Sequence, residues 1–110
     1  MMEQFVVKAT YDFIEEIKKT DIFKEYTIQK KKLKKHPDLF IKVCEFREKN
    51  FALQSAAQPD ELFDKIDAFE KEYEKFRENP LVDDFLRAEL AFCRMMQEIN
   101  GRIMSKLDFE

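Results

Sequence analysis

The chain has 110 residues, 45% hydrophobic and 39% charged, with a net charge of −3 at neutral pH. That length fits one domain with a modest core, and one glycine with three prolines excludes the turn-rich all-β classes. A net charge this small implies no partner by itself, and no apolar run approaches the roughly 18 residues that a membrane span needs.

The charge is unevenly spread. Residues 1–57 hold 12 Lys/Arg and 9 Asp/Glu, and residues 58–110 hold 8 and 14. Solvated helix faces account for such scatter, and head-to-tail alignment of subunits or partners is the sharper reading. Cys44 and Cys93 form no CxxC pair and no cluster with histidine. Both sit in apolar helical stripes, which predicts buried free thiols in a reducing compartment. The first residues carry Glu3 and lack a small-residue cleavage site, so no signal peptide is expected. These features predict a cytoplasmic protein.

In chain order, the first predicted helix covers residues 2–19, with a stripe of Val6, Phe13 and Ile17 and Ala9 beside it. Thr20 and Asp21 offer an N-cap for the second, residues 21–35, whose apolar face is Ile22, Phe23, Tyr26 and Leu33. Pro37, Pro59 and Pro80 then each open a helix, because proline's missing N–H has no partner to lose in a first turn. Asp38, Asp60, Glu61, Asp83 and Asp84 follow them and suit the positive helix N-terminus.

The third predicted helix is residues 37–57, with Leu39, Phe40, Val43, Cys44, Phe46 and Phe51. The fourth, residues 59–78, carries Leu62, Ile66, Phe69, Tyr73 and Phe76 at alternating steps of four and three, a coiled-coil-like seam. Glu61 with Lys65 and Asp67 with Lys71 form i,i+4 pairs on its outer face. The fifth, residues 80–107, is capped by Asn79 and is apolar over a broad arc from Leu81 to Met104. Such an arc belongs to a central helix, or to one shared with a second subunit. Gly101 could end it, but the spacing of Ile99, Ile103 and Leu107 predicts continuation. The fold class is therefore all-α: a five-helix antiparallel bundle, one domain over residues 1–110, with a long, broadly apolar C-terminal helix.

Catalytic chemistry finds little footing. The single histidine, His36, has no second His or Cys to work with, and Leu33 stands where a di-iron Glu-x-x-His motif needs its acid. Zinc clusters and a glycine-rich phosphate loop are absent. The carboxylates fall on outward faces near basic residues, as with Asp83 and Arg87 or Glu98 and Arg102. Neither an enzyme nor a metal or cofactor site is expected. Lys30, Lys31, Lys32, Lys34 and Lys35 form the sharpest local feature, a candidate phosphate-contacting patch. It has no arginine for base contacts and no aromatic for stacking, so direct nucleic-acid contact is disfavoured. Lysines also complement the negative end of a helix.

The candidate protein interface is the end of the fourth helix, Tyr73 and Phe76, with Leu81, Val82, Phe85, Phe92, Met95, Met96 and Ile99 of the fifth. Adjacent methionines suit adaptable surfaces. The competing reading places these residues in the chain's own core.

The segment from Glu78 through Asn100 resembles the C-terminal helix of the YlbF/YmcA family. That family reads N-P-L-V-x-E-[FY]-x-x-A-E, followed by an L-L-Q-E-[IV]-N-like stretch. Asn79, Pro80, Leu81, Val82, Phe85, Ala88, Glu89, Gln97, Glu98, Ile99 and Asn100 match it. Upstream, Thr20 to Tyr26 is similar to the family's short S/T-[DE]-x-[FY]-x-x-[FY] segment, and His36-Pro37-Asp38 to its D/H-P junction. The resemblance implies an all-helical, non-enzymatic regulatory adaptor of mostly Gram-positive bacteria, linked to competence, sporulation and biofilm development. The best-known members assemble with related helical proteins and act on ribonuclease Y. Some hold an iron–sulfur cluster through a cysteine-bearing C-terminal tail. This chain ends at Glu110 without one, so no cluster is expected. The resulting expectation is a homo-oligomeric adaptor with a protein partner and no membrane contact. The alternative is a nucleic-acid binder using the lysines of residues 30–35.

Overall fold

A computed structural model describes residues 2–56 and 59–109. Among them are six α-helices and no strand: α1 (Gln4–Lys18), α2 (Asp21–Lys34), α3 (Pro37–Ala56), α4 (Pro59–Glu72), α5 (Glu74–Glu78) and α6 (Pro80–Lys106). The protein is all-α, as its composition and periodicity predict. Ala57, the last residue of the predicted third helix, lies outside the described residues.

The helix ends follow local chemistry. Thr20 links α1 to α2: its hydroxyl donates to the Ile17 carbonyl at 2.7 Å and accepts the Phe23 N–H at 3.1 Å. The side chain thus satisfies one carbonyl and one amide that the helix ends leave unpaired. Asn79 Oδ1 accepts the Leu81 N–H at 2.9 Å, and Pro80 fills the first position of α6. Gly101 lies inside α6, which continues to Lys106. There the chain turns through Asp108, whose φ is 53°. The Asp108 N–H donates to the Ser105 carbonyl and the Phe109 N–H to that of Met104. These are the two bonds of a Schellman cap, with aspartate where glycine is usual.

One helix more is present than the spacing predicts. The stretch expected as one helix over residues 59–78 breaks at Tyr73, with φ −105° and ψ 10°. The Tyr73 N–H still reaches the Phe69 carbonyl at 3.2 Å. Tyr73 and Phe76, on either side of the break, are both buried, with their rings 5.6 Å apart. Periodicity assigns side chains to a face but does not register a local change of axis that serves packing.

The chain forms two compact units, residues 1–29 with 87–110, and residues 30–86. In the second, Leu33, Val43, Val82 and Phe85 are fully buried, each side chain contributing about 1.5–3 kcal/mol. Phe46 stacks on Phe69 at 5.2 Å and meets Tyr73 edge-on at 5.1 Å. Cations cover this aromatic cluster: Lys42 over Phe76, Lys49 over Tyr73 and Arg77 over Phe46, each 5.3–5.9 Å from the ring centre. Lys49 also pairs with Glu72 at 3.1 Å. Hydrogen bonding to Tyr73, then to Glu72, raises its ammonium above the ordinary lysine value.

In the other unit, Phe23 and Tyr26 of α2 meet Phe92 of α6 edge-on, at 5.4 and 5.0 Å. Gln29 is buried with its amide donating to Glu25 at 2.7 Å. The stripe of Val6, Phe13 and Ile17 leaves α1 without a buried residue. One expectation is corrected here. Cys93 is exposed rather than buried, because it sits about 100° round α6 from Phe92. Cys44 is half-buried, and both thiols are free.

Candidate protein interface

The face of α6 that carries Phe85, Ala88, Phe92, Met96, Ile103 and Leu107 is a single row at helical spacing. Its burial falls along the helix, with Ile99 half-buried beyond the exposed Met96. Phe85 is 1% exposed, Ala88 7%, Met96 38%, Ile103 45% and Leu107 71%. A row that begins in the core thus ends in solvent with its apolar character unchanged. The helix is central only near its start.

The predicted interface residues divide accordingly. Tyr73, Phe76, Val82 and Phe85 are buried inside residues 30–86. Leu81, Phe92, Met95 and Ile99 are half-buried and Met96 is exposed. Phe92 is engaged by the rings of Phe23 and Tyr26. The accessible part is therefore Leu81, Met95, Met96 and Ile99. Sequence reasoning overlooked Met2 and Phe5 before and within α1, and Leu107 and Phe109 at the end of α6, all largely exposed. Phe5 lies next to the polar side of α1, beside Asp12 and Glu16 at helical spacing, and that misfit was the available signal.

The lysine run occupies the last turns of α2. Lys30 is half-buried, and Lys31, Lys32, Lys34 and Lys35 are exposed around the fully buried Leu33. Lys34 Nζ lies 5.5 Å from the centre of the Phe40 ring, so the patch is partly organised by an aromatic of α3. His36 is exposed, and its carbonyl accepts the Phe40 N–H at 3.0 Å, starting α3. Within the same unit, an open groove along α4, α5 and the start of α6 carries Asp67, Glu70, Glu74, Glu78 and Asp83 with Lys71 and Arg77. Asp67 and Lys71 pair at 3.1 Å there. Surface pairs of the predicted spacing also join Glu61 to Lys65 and Glu98 to Arg102. Among the described residues no group of three or more His, Cys, Asp or Glu is placed to hold a metal ion. None of the described helices is long and apolar enough to cross a membrane.

A UPF0342 protein of Caldicellulosiruptor bescii is 22% identical over 107 residues, covering 96% of this chain and 90% of that protein. No solved structure matches the chain significantly. The family profile described as control of competence regulator ComK, YlbF/YmcA matches residues 6–108. An all-helical chain matched over nearly its whole length, with the Asn79-Pro80 cap opening its long last helix, belongs to the YlbF/YmcA family of competence-control regulators.

Proposed function

We propose that this protein is a non-enzymatic regulatory adaptor, a single cytoplasmic domain that self-associates and docks a protein partner. The observation that carries the reading is the α6 row, apolar from Phe85 to Leu107, fully covered at Phe85, partly covered at Phe92 and Ile99, and mostly exposed at Leu107. Apolar side chains in a continuous helical row gain free energy when a groove or second helix removes them from water. Charged residues at the edges then set register. Family membership supports a partner in the control of competence and related development, and by resemblance a ribonuclease or a related helical protein.

Affinity capture of the tagged chain from its native cells tests this. A ribonuclease or sister helical proteins should be recovered with the wild type and lost with Met95→Glu/Met96→Glu, whose fold is checked by circular dichroism. Capture unchanged by that variant would remove α6 from the docking surface. Recovery of no specific partner would remove the adaptor role itself.

The second reading is nucleic-acid binding through Lys30, Lys31, Lys32, Lys34 and Lys35, favoured by four exposed ammonium side chains within one helix end. Phosphate contacts give affinity that falls steeply with salt, whereas apolar docking changes little. RNA binding by the pure chain that collapses between about 50 and 200 mM salt would favour this reading.

A further inference from the structure

Phe63 of α4 and Phe51 of α3 are 83% and 74% exposed, more than any other large apolar side chain among the described residues. Both belong to the unit of residues 30–86. They stand near the turn of a helical hairpin: α3 ends at Ala56, α4 begins at Pro59, and the two helices pack on each other. The stacked pair Phe46 and Phe69 lies equally far from those two ends, which fixes the register. Phe51 and Phe63 are therefore level with each other, closer to the turn. From Phe46 to Phe51 is about 140° round α3, and from Phe69 back to Phe63 about 120° round α4. In antiparallel helices these turns bring both rings to one side of the hairpin.

We propose that this side of the hairpin docks a basic amphipathic helix of a partner protein. Phe51 and Phe63 hold the apolar face of that helix, and carboxylates beyond Phe63 hold its cations. The inference does not rest on the α6 surface, and it gives the adaptor a second one.

Charge and area choose the occupant. Asp67, Glu70 and Glu74 follow Phe63 at steps of four, three and four, and they line the open groove along α4, α5 and the start of α6. The two cations of that groove are already engaged, Lys71 with Asp67 at 3.1 Å and Arg77 over the Phe46 ring at 5.9 Å. Glu70, Glu74 and Glu78 form no ion pair among the described residues. Such a row beside exposed phenylalanine repels nucleic acid and anionic membrane and attracts lysine and arginine. Apolar anchors with a charged rim are the means by which a groove takes a helix. At roughly 200 Å² for a whole phenylalanine, the two rings leave about 300 Å² uncovered. That anchors a short segment but falls well below the roughly 800 Å² per partner of a stable dimer. The chain's own lysine run is also a poor occupant. Leu33 at its centre is fully buried, so the run offers cations without an apolar anchor.

Fluorescence anisotropy reads the proposal, with labelled synthetic peptides of about 20 residues, roughly 30 Å as a helix, added to the full chain. The first peptide carries leucine on one helical face and lysine and arginine on the other. Three references have the same residues scrambled, glutamate in place of each cation, or alanine in place of each leucine. The first peptide should bind at least about tenfold more tightly than any reference. Phe51→Ser/Phe63→Ser, both exposed and so tolerated by the fold, should weaken it at least about tenfold. Glu70→Lys/Glu74→Lys should weaken the basic peptide and strengthen the acidic one. Circular dichroism establishes that each variant is folded, and the charge reversal keeps the test decisive if the serine pair unfolds.

No binding of the first peptide, equal binding of any reference, or binding indifferent to both sets of variants would overturn the proposal. A second copy of the chain that shields Phe63 from solvent labelling and excludes the peptide would also overturn it. Met95→Glu/Met96→Glu should leave peptide binding unchanged, so this surface and the α6 surface stand or fail on separate experiments.

Discussion

Gly101 sits in the middle of the second half of α6, and a methyl group placed on it would meet no atom within 4 Å. The helix tolerates the glycine because its neighbours Ile99 and Ile103 keep the apolar row in register. Glycine still carries an entropic cost there that alanine does not. Gly101→Ala should therefore raise stability by about 1 kcal/mol, read as a shift in the urea midpoint with an unchanged slope. A loss of stability would mean that the position is covered by something outside the chain. Asp108 is the opposite case. It adopts the left-handed conformation that glycine usually supplies, yet no neighbouring residue type marks it as a cap.

At the scale of elements, burial rather than residue type decides what a side chain contributes. Phe85 and Leu107 lie on the same row of α6, but one is fully buried and the other mostly exposed. Phe85→Ala should cost about 3–4 kcal/mol in chemical denaturation, since it leaves a cavity in a closed core. Leu107→Ala should cost well under about 1 kcal/mol in the monomer, the scale of surface substitutions. Equal losses at the two positions would show that the end of α6 is covered in solution.

The existence and order of the helices were legible because prolines, Thr20 and Asn79 punctuate the chain with known cap chemistry. The split at Tyr73 was not. Tyr73 and Phe76, on either side of the break, both pack against Phe46, which is distant in sequence. The predicted interface mixed core with surface for the same reason. Tyr73, Phe76, Val82 and Phe85 have the residue types of an interface and the position of a core.

For the molecule as a whole, α2 and α6 each supply residues to both compact units. Losing either unit's packing would strand half of a continuous helix, which is marginal alone. We therefore expect a single cooperative unfolding transition, coincident by circular dichroism and by tyrosine fluorescence. Two resolved transitions would show that the units melt independently and would remove the single-domain proposal.

The all-helical class, the cap positions, the continuation of α6 through Gly101 and the family follow from the order of residues alone, because each depends on local spacing and backbone chemistry. Only the tertiary structure decided which part of an apolar row is covered. Phe13 and Phe69 carry the same side chain at the same helical spacing, yet one remains substantially exposed and the other is stacked against Phe46. Periodicity gives the direction a side chain takes from its helix axis. Whether another helix stands there is set by contacts between residues far apart in the chain, and that is what separates a core from a surface left for a partner.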